Sequence, residues 1–296
     1  MSWRCPALQA WFDATRTVNG QYRHLRLAED GRARPAALQD LARLVREAHA
    51  DARTHWEQLR GISLDPLAPN AADNTAMPAY PDSLHTITIQ GYLGEVLAGL
   101  IAENFAPHGI EDWQVPAFLF PTHVAALQAL ERRRQLGGPA RPIPGRTGDD
   151  ALAFLLNDDG FVSAWLWGEA KCTHDHSTKL IGDGHAQLSA QFYVPVDLTQ
   201  LIEILDRRPD AASRTWANRL RVLLLVQTQA SAPTRYDMLV YVCGRGPVRS
   251  PNWLSTTTAS PDYSGGRPLE AVEVHLTLDF DGVVTTAYPA HTVNRA

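Results

Sequence analysis

The sequence predicts an α/β fold, a mixed sheet flanked by helices, on three observations. Between residues 86 and 228 the pattern reads helix, strand, strand, strand, helix, strand, with one further helix after the first strand. Two of those strands, Ala151–Leu156 and Phe161–Lys171, are joined by Asn157-Asp158-Asp159-Gly160, a strong hairpin signal. The run Arg221–Thr228 (RVLLLVQT) is continuously apolar over Val222–Val226, as expected of a strand buried on both faces.

Each element has its own justification. Residues 1–62 read as mostly helical, because Leu38, Leu41, Leu44, Val45 and Ala48 recur at helix spacing. Residues 63–83 are rich in Pro, Asn, Asp and Ala and read as an irregular boundary. The expected organisation is a helical N-terminal extension over 1–80 and one catalytic-sized domain over 81–296. A helix is predicted from about 86 to 104, a strand over Trp113–Phe120 ended by Pro121, and a helix over Val124–Arg134. Residues 135–148 are dense in Gly and Pro and read as a loop. After the central hairpin, 183–206 reads as helical with a break at Pro195. Tyr236–Cys243 is a further strand. Ala271–Asp279 and Val283–Tyr288 are predicted to close the chain as a β-hairpin around Asp281-Gly282.

The 296 residues suffice for a large core, with 45% hydrophobic and 20% charged residues. Cys5, Cys172 and Cys243 have spacings that fit neither a zinc framework nor a disulfide scaffold, which suggests a reducing compartment. The start MSWRCPALQAWF has no leader-like apolar core, and no apolar run is long enough to span a bilayer. The expectation is a cytoplasmic protein with no membrane partner. No Walker motif is present, so ATP hydrolysis is not expected of this chain.

Chemistry concentrates around the hairpin. Glu169 and Lys171 lie two apart near the end of an apolar strand, so alternation projects both from one face. Counting from the Asn-Asp-Gly turn, Asp150 at the head of the partner strand falls near their level. Two carboxylates and an ammonium thus converge at one sheet edge. Carboxylate oxygens at Asp150 and Glu169, with the Ala170 carbonyl, suit Mg²⁺, for which Mn²⁺ would substitute. Such a cation activates water and stabilises the leaving oxygen in phosphodiester hydrolysis, and a neighbouring lysine orients water or stabilises developing charge. Asp149 is the alternative first acid. Asp150 is preferred because it directly precedes the apolar run, which leaves Asp149 to face solvent or cap the loop.

This Asp150…Glu169-Ala170-Lys171 pattern resembles the PD-(D/E)XK nuclease superfamily over roughly residues 86–228. The resemblance implies a restriction-endonuclease-like sheet, with the C-terminal hairpin as an addition to it. It also implies a metal-ligating glutamate on the preceding helix, at Glu95 of Gly94-Glu95. A polar helper is implied on the following helix at Gln187, with Tyr193 as a weaker companion. Within the superfamily the chain is similar to the HamA-type nuclease subunits of Hachiman anti-phage defence systems. That similarity implies DNA as substrate and a helicase partner that restrains the nuclease. The net charge of −5 counts mildly against strong sequence-independent DNA affinity and fits reliance on a partner. Two alternatives share the residues: a sequence-specific restriction-type endonuclease, and a non-catalytic subunit with a nuclease-like fold.

Other groups have competing readings. Cys172, His174, Asp175 and His176, with His185, are a weak zinc set lacking a second ligand pair; a polar loop lining a DNA groove or a solvated loop explains them as well. Trp165 and Trp167 suit core packing better than base stacking. Arg132, Arg133, Arg134, Arg141 and Arg146 form a basic stretch, read as phosphate contacts or as a solvated helix end.

Overall fold

The computed structural model describes residues 2–59, 78–143, 148–226, 232–246 and 251–291. In chain order its elements are α1 (Pro6–Trp11), β1 (Phe12–Asn19), β2 (Tyr22–Glu29), α2 (Arg34–Ala48), α3 (Ala50–Gln58), α4 (Thr86–Asn104) and α5 (Val124–Leu136). They continue with β3 (Ala151–Leu156), β4 (Val162–Asp175), α6 (Thr178–Leu188), α7 (Leu198–Arg207), α8 (Ala211–Leu223), β5 (Thr234–Arg245), β6 (Leu269–His275) and α9 (Phe280–Ala287). The strands form one sheet in the order β1-β2-β6-β5-β4-β3. β2, β6, β5 and β4 run parallel, and β1 and β3 pair antiparallel at the two edges. The fold is therefore α/β with a mixed sheet flanked by helices.

Strand alternation sorts the core into two layers. On one face Leu166, Val240 and Val272 pack against α2, α4 and α9. On the other, Trp165, Leu239 and Ala271 pack against α7 and α8. β5 is central and buried from Met238 through Cys243, as a parallel strand covered on both sides must be. Each fully buried Leu or Val of this kind contributes roughly 1.5–3 kcal/mol of transfer free energy.

Several expectations are corrected. Residues 2–59 are only about half helical: besides α1, α2 and α3, Phe12–Glu29 form a hairpin through the two-residue loop Gly20-Gln21, and β2 pairs with β6. Gly20 adopts φ +62, the positive value such a turn needs, and Asn19-Gly20 is a hairpin signal in plain sequence. The sheet and its core thus cross the boundary expected near residue 80. Trp113–Phe120 is not a strand. It contributes a single bridge, Gln114 to Phe154, because Pro116 lacks the N–H that continued pairing requires.

Arg221–Val226 continues and ends a helix rather than forming a strand; residues 227 and 228 lie outside the described residues. Asp210 caps this helix by accepting from Ser213 N at 2.8 Å, and Trp216, Leu220 and Leu223 bury one stripe. Leu225 is left 76% exposed, which a doubly buried strand would not allow. The C-terminal hairpin is likewise replaced by a strand and a helix. Asp279 accepts from Gly282 N and caps α9, whose Phe280, Val283, Val284 and Ala287 share one buried face. The Asp-Gly pair sits inside a helix start, not a hairpin turn. The helical stretch predicted over 183–206 with a break at Pro195 is two helices, α6 and α7, and the break is longer than expected, spanning residues 189–197.

Candidate functional site

The hairpin β3–β4 builds the site. β3 ends its pairing at Ala151 opposite Gly168, while β4 continues to Asp175, so one edge of β4 is open beyond Gly168. Asp150 fills the first vacancy: its Oδ2 accepts the Ala170 backbone N–H at 2.9 Å. Lys171 Nζ donates to Glu169 Oε1 at 2.6 Å. The Lys171 side chain keeps 21% of its surface in solvent, whereas Glu169 keeps none. The structure therefore brings Asp150, Glu169 and Lys171 together at the lip where β3 begins.

Glu169 is electrostatically strained. Its carboxyl is held well above the usual carboxylate range, first by burial and then by the negative charge of Asp150, while Lys171 pulls the other way. Its Oε2 is buried and accepts no hydrogen bond. Burial works against the Lys171 ammonium, yet the charges of Glu169, Asp150 and Asp183 outweigh it and raise its pKa. Lys171 is therefore a cation at neutral pH, fitted to stabilise negative charge and not to act as a base.

Asp149 points the other way, as alternation requires. Its Oδ2 accepts from Asp197 N, and its own N–H donates to Asp197 Oδ2, both at 2.9 Å. Asp149 is buried at 1% exposure, so the expectation that it faces solvent fails, while its loop-capping role holds. Gly148 makes this clasp possible. Its φ is +141, and a Cβ there would lie 2.2 Å from Asp197 Oδ2.

Glu95 lies on α4, which covers the opposite face of β4. A Cβ on Gly94 would lie 2.9 Å from Cys172 Cβ and 3.5 Å from Ala170 Cβ, so the glycine permits the close approach. The charge of Glu95 adds to burial in raising the pKa values of Tyr80, Tyr92 and Tyr288. Two of these tyrosines are tied by His49, whose Nδ1 and Nε2 lie 3.2 Å from the Tyr80 and Tyr288 hydroxyls. Among the described residues no three His, Cys, Asp or Glu side chains are grouped to hold one ion. The four-residue set expected from sequence is thus seen as a group of three, with Glu95 set in a tyrosine cluster.

Ala170 turns its methyl toward α4. Gln187 is half-buried on α6, one turn beyond Gly184. Gly184 sits against Leu239 and the Lys171 stem, where a Cβ would lie 3.5 Å from Lys171 Cγ. This contact brings α6 onto the site face, though the Gln187 amide makes no hydrogen bond among the described residues. Tyr193 is half exposed.

The sequence matches no protein-family model and no curated protein. A buried carboxylate oxygen lacking a donor, faced by a second carboxylate, fits a hard divalent cation, since Mg²⁺ takes one or two carboxylates and keeps its waters. A proton shared between the two acids satisfies the same geometry in the cation's absence.

The remaining candidates separate. Burial raises the Cys172 thiol pKa, His174 pairs with Asp175, and His176 reaches the Tyr241 hydroxyl, so the Cys-His cluster forms no common site. Trp165 and Trp167 are core residues, 1% and 3% exposed, with the Arg235 guanidinium stacked on both. Arg134 is paired with Glu131 through two short bonds, and Arg133 donates to the Ser83 carbonyl. Arg146 lies outside the described residues. Sequence reasoning missed Asp197 and Gly184. Only the helix glycine within Gly182-Asp183-Gly184 offered a signal.

Proposed function

We propose that the chain is a metal-dependent DNA nuclease, with Asp150, Glu169 and the Ala170 carbonyl holding Mg²⁺ and Lys171 beside it. The observation that carries this reading is the convergence of Asp150, Glu169 and Lys171, with Glu169 Oε2 buried and undonated. The order α4, β3–β4 hairpin, α6, then parallel β5 supports the restriction-endonuclease-like arrangement that the resemblance implies. The single antiparallel bridge of Gln114 to Phe154 of β3 is compatible with a reduced first strand in that arrangement. Glu95 remains a candidate ligand from α4, and Gln187 a polar helper from α6.

The bound cation would polarise the phosphoryl group and lower the pKa of a water. The protein's own groups do the rest. Asp150 and Glu169 supply negative charge that concentrates a cation at the lip. Lys171, held protonated, stabilises charge developing on the phosphate oxygens. Asp150 keeps its position because the Ala170 N–H binds it, and Asp149 fixes the approach of the loop through Asp197.

The biological setting proposed is anti-phage defence under a helicase partner. The net charge of −5 supports delegating DNA capture to such a partner. The test is cleavage of plasmid and linear DNA by the chain with Mg²⁺, with and without a co-purified partner. An effector produces a smear, and a sequence-specific restriction-type enzyme produces discrete bands. Glu169→Ala should abolish cleavage and leave the circular dichroism spectrum unchanged. No cleavage even with the partner present would favour a non-catalytic interaction subunit, and metal-independent cleavage would contradict the metal-dependent reading.

A further inference from the structure

A cavity of about 530 Å³ opens between the N-terminal end of α4 and the C-terminal end of α5. Its size falls within the ~300–1,000 Å³ of small-molecule sites. Leu84, Leu130 and Ile143 form its apolar walls, and Arg132, Arg133 and Arg141 line its rim. Among the described residues that line it there is no Asp or Glu. Arg132 and Arg141 make no hydrogen bond or ion pair among the described residues. Arg134, by contrast, is neutralised by Glu131. In a chain of net charge −5, a cavity rimmed by three guanidiniums, with no carboxylate among its described lining residues, is a local reversal of sign.

We propose that this cavity is a nucleotide subsite for a DNA strand: a base enters the apolar interior, and its flanking phosphates lie on Arg132 and Arg141. The chemistry calls for such a ligand, planar and apolar at one end and anionic at the other. Planar guanidiniums bind phosphate oxygens through paired donors. The location agrees. His85, at the cavity and capping α4, stands ten residues before Glu95, about 15 Å along a helix rising 1.5 Å per residue. That distance corresponds to roughly four to five nucleotides at ~3.4 Å per nucleotide. The subsite thus anchors the strand several nucleotides along α4 from Glu95, the ligand proposed from that helix. This inference rests on the DNA reading above.

The test measures binding of a fluorescent 12-nucleotide single strand to the full chain in EDTA, across a salt series. Arg132→Glu with Arg141→Glu should weaken binding at least ~10-fold and reduce the salt slope by about 1.4, the expected value for two lost contacts on a single strand. Arg32→Glu with Arg214→Glu, an equal charge change at exposed sites elsewhere, should have a much smaller effect. Ala129→Phe, which fills the cavity without changing charge, should weaken binding while keeping the slope. Unchanged affinity in the Arg pair, or equal loss in the control pair, would overturn the subsite. Loss in the Arg pair with none in Ala129→Phe would reduce it to a surface phosphate patch and overturn the cavity.

Adenosine monophosphate separates the two sources of the same chemistry. Absence of binding at millimolar concentration assigns the cavity to nucleotides within a strand. Micromolar binding would assign it to a free nucleotide and overturn the strand. The nuclease reading fails or stands separately, by Mg²⁺-dependent cleavage. Cleavage with pocket variants that bind normally sinks the subsite alone. A wild-type chain that neither cleaves nor binds DNA sinks both.

Discussion

Two carboxylates on the same face of the sheet, Glu169 on β4 and Asp237 on β5, are both fully buried and are treated in opposite ways. Asp237 accepts from Arg235 Nε at 2.7 Å, the Tyr263 hydroxyl at 2.7 Å and Arg267 Nε at 3.0 Å. The two arginines in turn donate to the carbonyls of Leu188 and Ala190, so the network pins the chain after α6 onto β5. Every partner there is spoken for. Glu169 has one ammonium on one oxygen, no donor on the other, and a second acid beside it. A buried charge is tolerated when its lone pairs are satisfied. Asp237 meets that condition within the protein, and Glu169 does not. The contrast marks Asp237 as a strut and Glu169 as a group that needs something from outside.

Substitution should separate the two most clearly. Asp237→Ala leaves Arg235 and Arg267 without a counter-charge and should cost about 3–5 kcal/mol, the usual penalty for breaking a buried pair. Chemical denaturation measures it. Glu169→Gln removes a charge that the fold does not fully compensate, and without divalent metal its stability should stay within about 1 kcal/mol of wild type or exceed it. Equal losses at the two sites would erase the distinction.

Metal linkage sharpens the comparison at a smaller scale. Mg²⁺ at 100 times its dissociation constant should stabilise wild type by about 2.7 kcal/mol. For a chain of this size that raises Tm by several degrees, at roughly 2–4 °C per kcal/mol. Glu169→Gln should lose most of this gain and Asp237→Asn should keep it, as differential scanning calorimetry would show.

The smallest effect expected is on pH. Because the Glu169 pKa is raised in the folded state, the native protein holds a proton that the unfolded chain has released. Its contribution to stability is present below the ordinary carboxylate pKa and is lost as pH rises toward the raised value. In EDTA, the stability of wild type relative to Glu169→Gln should therefore fall as pH rises from about 4.5, with Mg²⁺ flattening the trend. A trend of opposite sign would contradict the assignment of Glu169 as the undonated acid.

What was legible in the sequence follows the range of the interactions concerned. The α4 helix and the β3–β4 hairpin are local patterns, and both lie where the sequence predicts them. Glu169 and Lys171 share a face because alternation is local, and Asp150 meets them because the Asn-Asp-Gly turn sets the count. The apolar run after Arg221 misled because a short run of this type is compatible with either period. The stripe of Trp216, Leu220 and Leu223, begun earlier, decided for helix. Asp281-Gly282 misled because a turn dipeptide also suits a helix start once Asp279 caps it. The clasp of Asp149 with Asp197 spans 48 residues and has no local signature. The same holds for the tyrosines around Glu95, which α4 and α9 bring together from distant segments.

The most direct measurement is plasmid cleavage by wild type and Lys171→Ala in parallel, with Mg²⁺ and with EDTA, in the presence of any co-purified partner. The account predicts Mg²⁺-dependent cleavage by wild type and a loss of at least ~10²–10³-fold in Lys171→Ala, the scale for removing one group that stabilises transition-state charge. A Lys171→Ala protein that cuts DNA at the full rate would contradict it.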